Sequence, residues 1–253
     1  MTGAELALVI AGAACAGFVQ GLAGFGFGLV SLSFWAWGLP PQQAAVLATV
    51  GGFAGQLLAA LTLRRGTRWA LLWPMLAGAL AGLPLGLWLL QAANATWFRL
   101  FVGTLLAVWC PLMLLSGRLP RITRGGRVAD AAAGAAGGLM GPLGGFTGAI
   151  PSLWCTLRGM DRHEQRALMQ SFNLVVLATT SGLFLQRGLL TPAHGPALAV
   201  TAASLLVPAL LGMWLYTRIS ALAFRNVVLG LLTASGVAML AATLPALVAQ
   251  RSG

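Results

Sequence analysis

Long apolar runs follow one another through this chain, separated by little more than short arginine-bearing gaps. Eight can be read, at roughly 4–37, 41–63, 69–91, 95–116, 129–157, 165–186, 193–217 and 221–248. A helix needs about 20 apolar residues to cross a bilayer core of about 30 Å, and every run is long enough. The pattern predicts an all-α polytopic membrane protein. Charge supports this, since only 8% of residues are charged against about 25% in a soluble domain. So few charges cannot cover a water-facing surface, and lipid must cover much of it.

The net charge is +11, and all 15 basic residues are arginine. Nucleic-acid binding needs a solvated basic face. Here the arginines sit between apolar runs, where they orient a chain in the membrane. Cys15, Cys110 and Cys155 lie inside apolar stretches, no CxxC pair occurs, and there are only two histidines. A zinc or redox site is not expected, and neither is any cofactor. No basic residue precedes the first apolar run, so it is expected to stay in the mature protein rather than to be cleaved as a signal peptide.

The chain reads as two related halves. Gly17-x3-Gly21-Leu22-x-Gly24 matches Gly134-x3-Gly138-Leu139-x-Gly141, Gly38-Leu39 matches Gly159-Met160, Arg65-Gly66 matches Arg187-Gly188, and Phe98-Arg99 matches Phe224-Arg225. The expected organisation is a first membrane repeat at 1–117, a basic cytoplasmic linker at 118–128 and a second repeat at 129–253. Duplication at about half the chain length is a transporter signature.

The first run of each half is unusual. Residues 4–37 would make a straight helix of about 50 Å, longer than the bilayer core. Both first runs are dense in glycine, and the second also carries Pro142 and Pro151. Glycine destabilises a helix interior and proline removes a hydrogen bond, so each half is expected to open with a broken or re-entrant helix.

Arginine placement favours re-entry. If all eight runs cross, the arginines divide nine to six. If the first run of each half enters and leaves on one side, twelve share a face (Arg64, Arg65, Arg68, Arg118, Arg121, Arg124, Arg127, Arg158, Arg162, Arg166, Arg218, Arg225). Arg99, Arg187 and Arg251 then take the other. The second split fits the positive-inside rule. It leaves three crossings per half, and an odd number makes the halves inverted repeats. Two short crossings in place of each hairpin give the same split.

Breaks in a helix matter chemically. They free backbone N–H groups, and the N-terminus of a half-helix carries partial positive charge, which suits an anion. Irregular backbone is tolerated in the membrane only where it lines a cavity. Glycines also serve close helix packing, which is the expected role of Gly78, Gly82 and Gly86. Polar side chains within apolar runs must face the interior, either bridging helices or meeting a solute. Gln20, Ser31, Thr49 and Gln56 do so in the first half, and Thr147, Gln170, Ser171 and Asn173 in the second.

Gly17-x3-Gly21-Leu22-x-Gly24-x-Gly26-x-Gly28, followed by Gly38-Leu39-Pro40-Pro41 and Ala44-x4-Thr49, resembles the sulfite exporter family TauE/SafE. The second half repeats the order through Gly134 to Gly148, Gly159-Met160-Asp161-Arg162 and Gln170-Ser171, so the resemblance covers nearly the whole chain. Two departures are local. Phenylalanines interrupt the family's glycine run at Gly24 to Gly28, and Asp161 and Arg162 stand where prolines are usual.

The resemblance implies a transporter, of exporter type, for small sulfur-containing anions such as sulfite or organosulfonates. It places the chain as a multi-pass protein of the bacterial inner membrane, with a small anion and the lipid bilayer as partners and no nucleic acid. A homo-oligomer is compatible with it. The expected site lies at the membrane midplane, between the two glycine-rich segments. Its candidates are Gln20, Gly24, Gly26, Gly28, Thr49, Gly141, Gly144, Gly145, Thr147, Gln170 and Asn173.

Arg158, Arg162 and Arg166 could grip a sulfonate through the guanidinium fork, but a solvated, orientation-setting loop is the preferred reading. His163 and His194 are weak candidates for a proton-linked group. Trp35, Trp37, Trp69, Trp73, Trp97 and Trp154 read as an interfacial belt. Enzyme classes fare poorly. His163-Glu164 lacks the second histidine of HExxH, and four acidic residues leave little for acid–base catalysis. A channel would favour rings of charge or filter loops repeated across subunits.

Overall fold

The computed structural model describes the backbone of residues 2–62, 69–115, 122, 125–216, 218 and 221–251. Arg64, Arg65, Arg68, Arg118, Arg121 and Arg124, which weigh on the arginine count, lie outside the described residues, as do the side chains of Arg162, Arg225 and Arg251. Within the described residues the chain is helical, with no strand.

The first half holds α1 (Gly3–Ala23), α2 (Phe27–Trp35), α3 (Pro41–Thr62), α4 (Trp69–Ala92) and α5 (Ala95–Leu115). The second holds α6 (Gly126–Met140), α7 (Ala149–Leu157), α8 (Arg162–Gln186), α9 (Gly195–Leu215) and α10 (Ala221–Arg251), with a 3-10 turn at Pro192–His194 before α9. Helix starts follow local chemistry. Thr2 and Glu5 form a capping box on α1. Asp161 accepts from the His163 N–H at the start of α8.

Among the described residues seven helices are long and apolar enough to cross a membrane: 3–23, 41–61, 69–92, 95–115, 163–186, 192–215 and 226–245. Of the eight apolar runs, the one at 129–157 yields no such helix, because it is divided between α6 and α7. Run one is divided too, but α1 keeps 21 residues before the interruption whereas α6 has 15.

Packing crosses between the halves. The most extensive helix pairs are α4 with α6, α1 with α9 and α5 with α10, and α3 lies on α8. The first helix of each half therefore packs on the fourth of the other. The glycines explain how. A Cβ on Gly134 or Gly138 would strike the carbonyls of Met75 or Ala79, and one on Gly78, Gly82 or Gly86 those of Ala131, Ala135 or Leu139. On the opposite side, Gly17 and Gly21 face Leu205 and Ala209 in the same way. These are backbone-to-backbone approaches that only small residues allow. They assign Gly78, Gly82 and Gly86 to packing, as expected. They also assign to packing Gly17, Gly21, Gly134 and Gly138, which the sequence grouped with the site-forming glycines.

Both ends of each glycine-rich run lie together. Trp35 Nε1, at the end of α2, donates to the Leu8 carbonyl of α1 at 2.9 Å. Arg158 pairs with Asp130 at 2.8 Å, linking the end of α7 to the first turns of α6, and Trp154 Nε1 donates to the same carboxylate oxygen. Ile122, from the segment before α6, donates its N–H to the Leu157 carbonyl at 2.8 Å.

Two tryptophans correct the belt expectation. Trp35 is fully buried, and Trp154 is committed to Asp130. The indole N–H must be met when it leaves water, which is why both sit on a carbonyl or carboxylate. Trp69, Trp73 and Trp97 are exposed, as belt residues would be.

Candidate functional site

The site is built where the two glycine-rich runs meet. α1 ends at Ala23, and its last turn closes with the Gly24 N–H on the Gln20 carbonyl at 2.7 Å. Gly24 and Gly26 then adopt left-handed φ of 83° and 97° before α2 begins. A side chain at either would cost about 1–2 kcal/mol in backbone strain. In the second half α6 ends at Met140, Gly144 and Gly145 take φ of 147° and 70°, and α7 begins after Gly148. The two breaks touch, for a Cβ on Gly28 would collide with the Gly144 carbonyl.

Between them lies a small cavity. Its wall comprises Gln20, Phe25, Gly26, Phe27 and Leu29 from the first break, Gly52 and Gln56 from α3, Gly145 to Ala149 from the second break, and Asn173 and Leu177 from α8. It leaves about 10 Å³ for the centre of a water-sized molecule, room for roughly one water. The starts of α2 and α7 open onto it, and neither carries a side-chain cap. The first-turn N–H groups of a helix have no acceptor within the helix; in α7 the Ala149 N–H is taken by the Phe146 carbonyl and Pro151 has no N–H, so its donors are few, but both short helices turn positive dipole ends here.

The polar side chains are tightly placed. Gln20 Nε2 donates to the Gly52 carbonyl at 2.9 Å, and Gln56 Nε2 donates to the Gly24 carbonyl at 2.8 Å. Thr147 Oγ1 donates to Asn173 Oδ1 at 2.8 Å. Gln20, Gln56, Thr147 and Asn173 are all buried. Gln20 Oε1 is buried without a donor.

Five of the eleven candidates from sequence line this cavity: Gln20, Gly26, Gly145, Thr147 and Asn173. Of the other six, five belong to the breaks or touch them. Thr49 donates to the Gly141 carbonyl at 3.3 Å and ties α3 to the second break. Gly24 offers its carbonyl to Gln56. Gly28 and Gly144 make the contact between breaks, and Gln170 is buried on α8 outside the wall.

Sequence reasoning passed over Gly52, Gln56 and Gly148 as site residues. A signal was present. Positions 49, 52 and 56 form one stripe on α3 at helical spacing, and 170, 173 and 177 form the matching stripe on α8.

Arg166 corrects the arginine reading. It is not a solvated loop residue but is buried, and its Nη1 and Nη2 donate to the Leu22 and Gly21 carbonyls, each at 3.0 Å. Its guanidinium also stacks on Tyr216, 3.8 Å from the ring centroid. A cation on the last carbonyls of α1 satisfies groups that the break would strand, and it complements the negative end of that helix. Arg99 plays the same part for α2, donating to the Ala36 and Trp37 carbonyls at 2.9 and 3.1 Å.

A search of curated proteins and one of solved structures return no match to this chain. The family model described as sulfite exporter TauE/SafE does match it, over residues 9–239. That span takes in both breaks, the cavity between them and all but the ends of the 253-residue chain, which therefore belongs to the sulfite exporter TauE/SafE family of membrane transporters.

Proposed function

We propose that this protein exports a small sulfur-containing anion, sulfite or an organosulfonate, across the bacterial inner membrane, and that it binds the anion at the midplane cavity between the two glycine breaks. The observation that carries the reading is the convergence of two uncapped helix starts, those of α2 and α7, on one small cavity with buried polar side chains in its wall. A charge in a low-dielectric interior is costly unless it is met by hydrogen bonds and opposite charge. Backbone amides and helix dipoles supply both. In this reading Gln20, Gly26, Gly145, Thr147 and Asn173 line the site, joined by Gly52, Gln56 and Gly148. Gly24, Gly28, Thr49, Gly141 and Gly144 hold the breaks in place.

The test is initial-rate uptake and counterflow in proteoliposomes containing the purified protein. Saturable sulfite or sulfonate flux with counterflow is the expected result. A strict preference for cations or neutral sugars would overturn the assignment.

The same reading takes each half as an inverted repeat that opens with a re-entrant, broken helix. Supporting it are the contacts that join the two ends of each run, Leu8 with Trp35 and Asp130 with Arg158. In a cysteine-free background, Arg127→Cys and Glu164→Cys should react with a membrane-impermeant thiol reagent from one face. Trp37→Cys and Arg187→Cys should react from the other. Labelling of positions 127 and 164 from opposite faces would replace the hairpin with simple crossings.

A further inference from the structure

We infer that Arg166 is a releasable latch: it clamps together two helix bodies that part during transport, and so bars the way from one membrane face to the cavity. This rests on the reading of that cavity as the transport site. The first observation is size. The cavity has room for roughly one water, and a sulfite or sulfonate ion is larger than a water. Part of the wall must therefore move before the site can take its solute.

The second observation is which parts can move. α1 and α9, and likewise α4 and α6, meet through glycines whose Cβ would strike main chain. Such backbone-to-backbone seams are lost if the helices part. α2 and α3 pack on α1, and α3 also on α9; α7 packs on α6, and α8 on α4 and α7. The result is two bodies, α1, α2, α3 and α9 against α4, α6, α7 and α8, each mixing helices from both halves. α5 and α10 form a further pair that touches the first body at α2. The wall of the cavity divides between the two bodies. Gln20, Gly52 and Gln56 belong to the first, and Thr147, Gly148 and Asn173 to the second. Gln20 and Gln56 bond within the first body, and Thr147 bonds to Asn173 within the second. Rocking of one such bundle against another is how a fixed midplane site is opened to alternate faces.

The third observation is a side chain that crosses between the bodies. Arg166 stands on α8, in the second body. Its Nη1 and Nη2 donate to the Leu22 and Gly21 carbonyls of α1, and its guanidinium stacks on Tyr216, just past α9. Both partners belong to the first body, so these contacts must break when the bodies separate. Arg166 shares a face of α8 with Asn173, two turns nearer the helix start, about 10 Å along the axis. It therefore lies between the cavity and the membrane face at which α8 begins. The register that pairs 49, 52 and 56 with 170, 173 and 177 pairs Arg166 with Ala45. α3 has no counterpart to the latch, which makes it one-sided. Once released, the guanidinium stands at the mouth of the route, where its charge favours an anion.

The experiment uses Gly52→Cys, on the cavity wall, in the cysteine-free background. It reads the rate of reaction with a small membrane-impermeant methanethiosulfonate added from either face. With Arg166 in place, labelling from the face that holds Glu164 should be slow. Arg166→Gln should speed it at least about tenfold from that face and by no more than about twofold from the other, because charge-assisted hydrogen bonds and a stacked ring are lost on one side. Tyr216→Phe keeps the ring and should label as slowly as the parent, whereas Tyr216→Leu should label faster from the Glu164 face. Fast labelling from that face with Arg166 in place would overturn the inference, as would an unchanged rate in Arg166→Gln. Equal acceleration from both faces would overturn it too, since that marks a loosened fold rather than an opened gate. If Arg166→Gln does not fold, the contrast between Tyr216→Phe and Tyr216→Leu decides. Labelling needs no solute, so its outcome is separate from that of the flux measurements. Absence of saturable anion flux would overturn the transport reading itself, whatever the labelling shows.

Discussion

Gly138→Val should yield almost no folded protein, whereas Gly182→Val should be recovered at close to the wild-type level and with its thermal stability. Both glycines lie in or next to membrane-length helices, and neither needs left-handed backbone. They differ in what stands in front of them. A Cβ on Gly138 meets the carbonyl, Cα and carbonyl carbon of Ala79, whereas nothing lies within 4 Å of one on Gly182. Overpacking usually costs about 1–3 kcal/mol when side chains can shift. Here the obstacle is main chain, and α4 and α6 would have to part along a seam whose other glycines (Gly78, Gly82, Gly86 and Gly134) are equally close. The expected loss is therefore at or above about 3 kcal/mol, a large share of typical stability. Fluorescence-detected size exclusion and a thermal ramp in detergent read it directly. Equal recovery of both variants would show that the α4–α6 seam does not hold the halves together.

That contrast also changes which glycine makes a fair control. From sequence, Gly82 looks like a neutral packing position against which to measure loss of transport at Gly24. In the fold Gly82 faces the Ala135 carbonyl, whereas a Cβ at Gly24 meets only the Arg166 side chain, at 3.3 Å. Replacing Gly82 would damage folding first, and a fair control is Gly182 or Gly230.

What could be read from sequence follows from which features are local. Hydropathy depends on composition alone, so membrane-length helices were legible to within a few residues, and so were the two punctuated runs. The partition of glycines between seam and cavity was not, because it depends on partners about 50 or more positions away. Gly134 and Gly144 look alike as sequence, but one meets Met75 of α4 and the other Leu32 of α2. Arg166 misled for the same reason. It stands among charged residues after Arg158, and only the return of α1 beneath it turns a loop cation into a helix cap. Gln56 and Gly52 were within reach, since the stripe 49, 52 and 56 is local to α3. The clue was passed over because two of its members are neither charged nor unusual in a membrane helix.

The second large effect falls on transport. Gly148→Ala adds a single methyl group, and Gly148 has φ of −85°, a conformation alanine adopts freely. It precedes α7, so alanine does not disturb the helix. Folding stability should fall by about 1–3 kcal/mol, the cost of unmaking one buried hydrogen bond, with no backbone strain added. The methyl, however, would sit 2.9 Å from Asn173 Nδ2 and 3.0 Å from Oδ1. The asparagine would have to turn away, breaking its bond from Thr147 and pushing its amide into a cavity that holds about one water. If the anion binds between the α2 and α7 starts, this variant should lose at least tenfold in initial sulfite or sulfonate flux, measured below its melting temperature at matched amounts of folded protein. Ala149→Gly, which removes a methyl one position along, should leave more transport than Gly148→Ala does. Wild-type flux in Gly148→Ala, at matched amounts of folded protein, would mean that the anion passes elsewhere. The convergence of the two uncapped helices would then be a feature of packing alone.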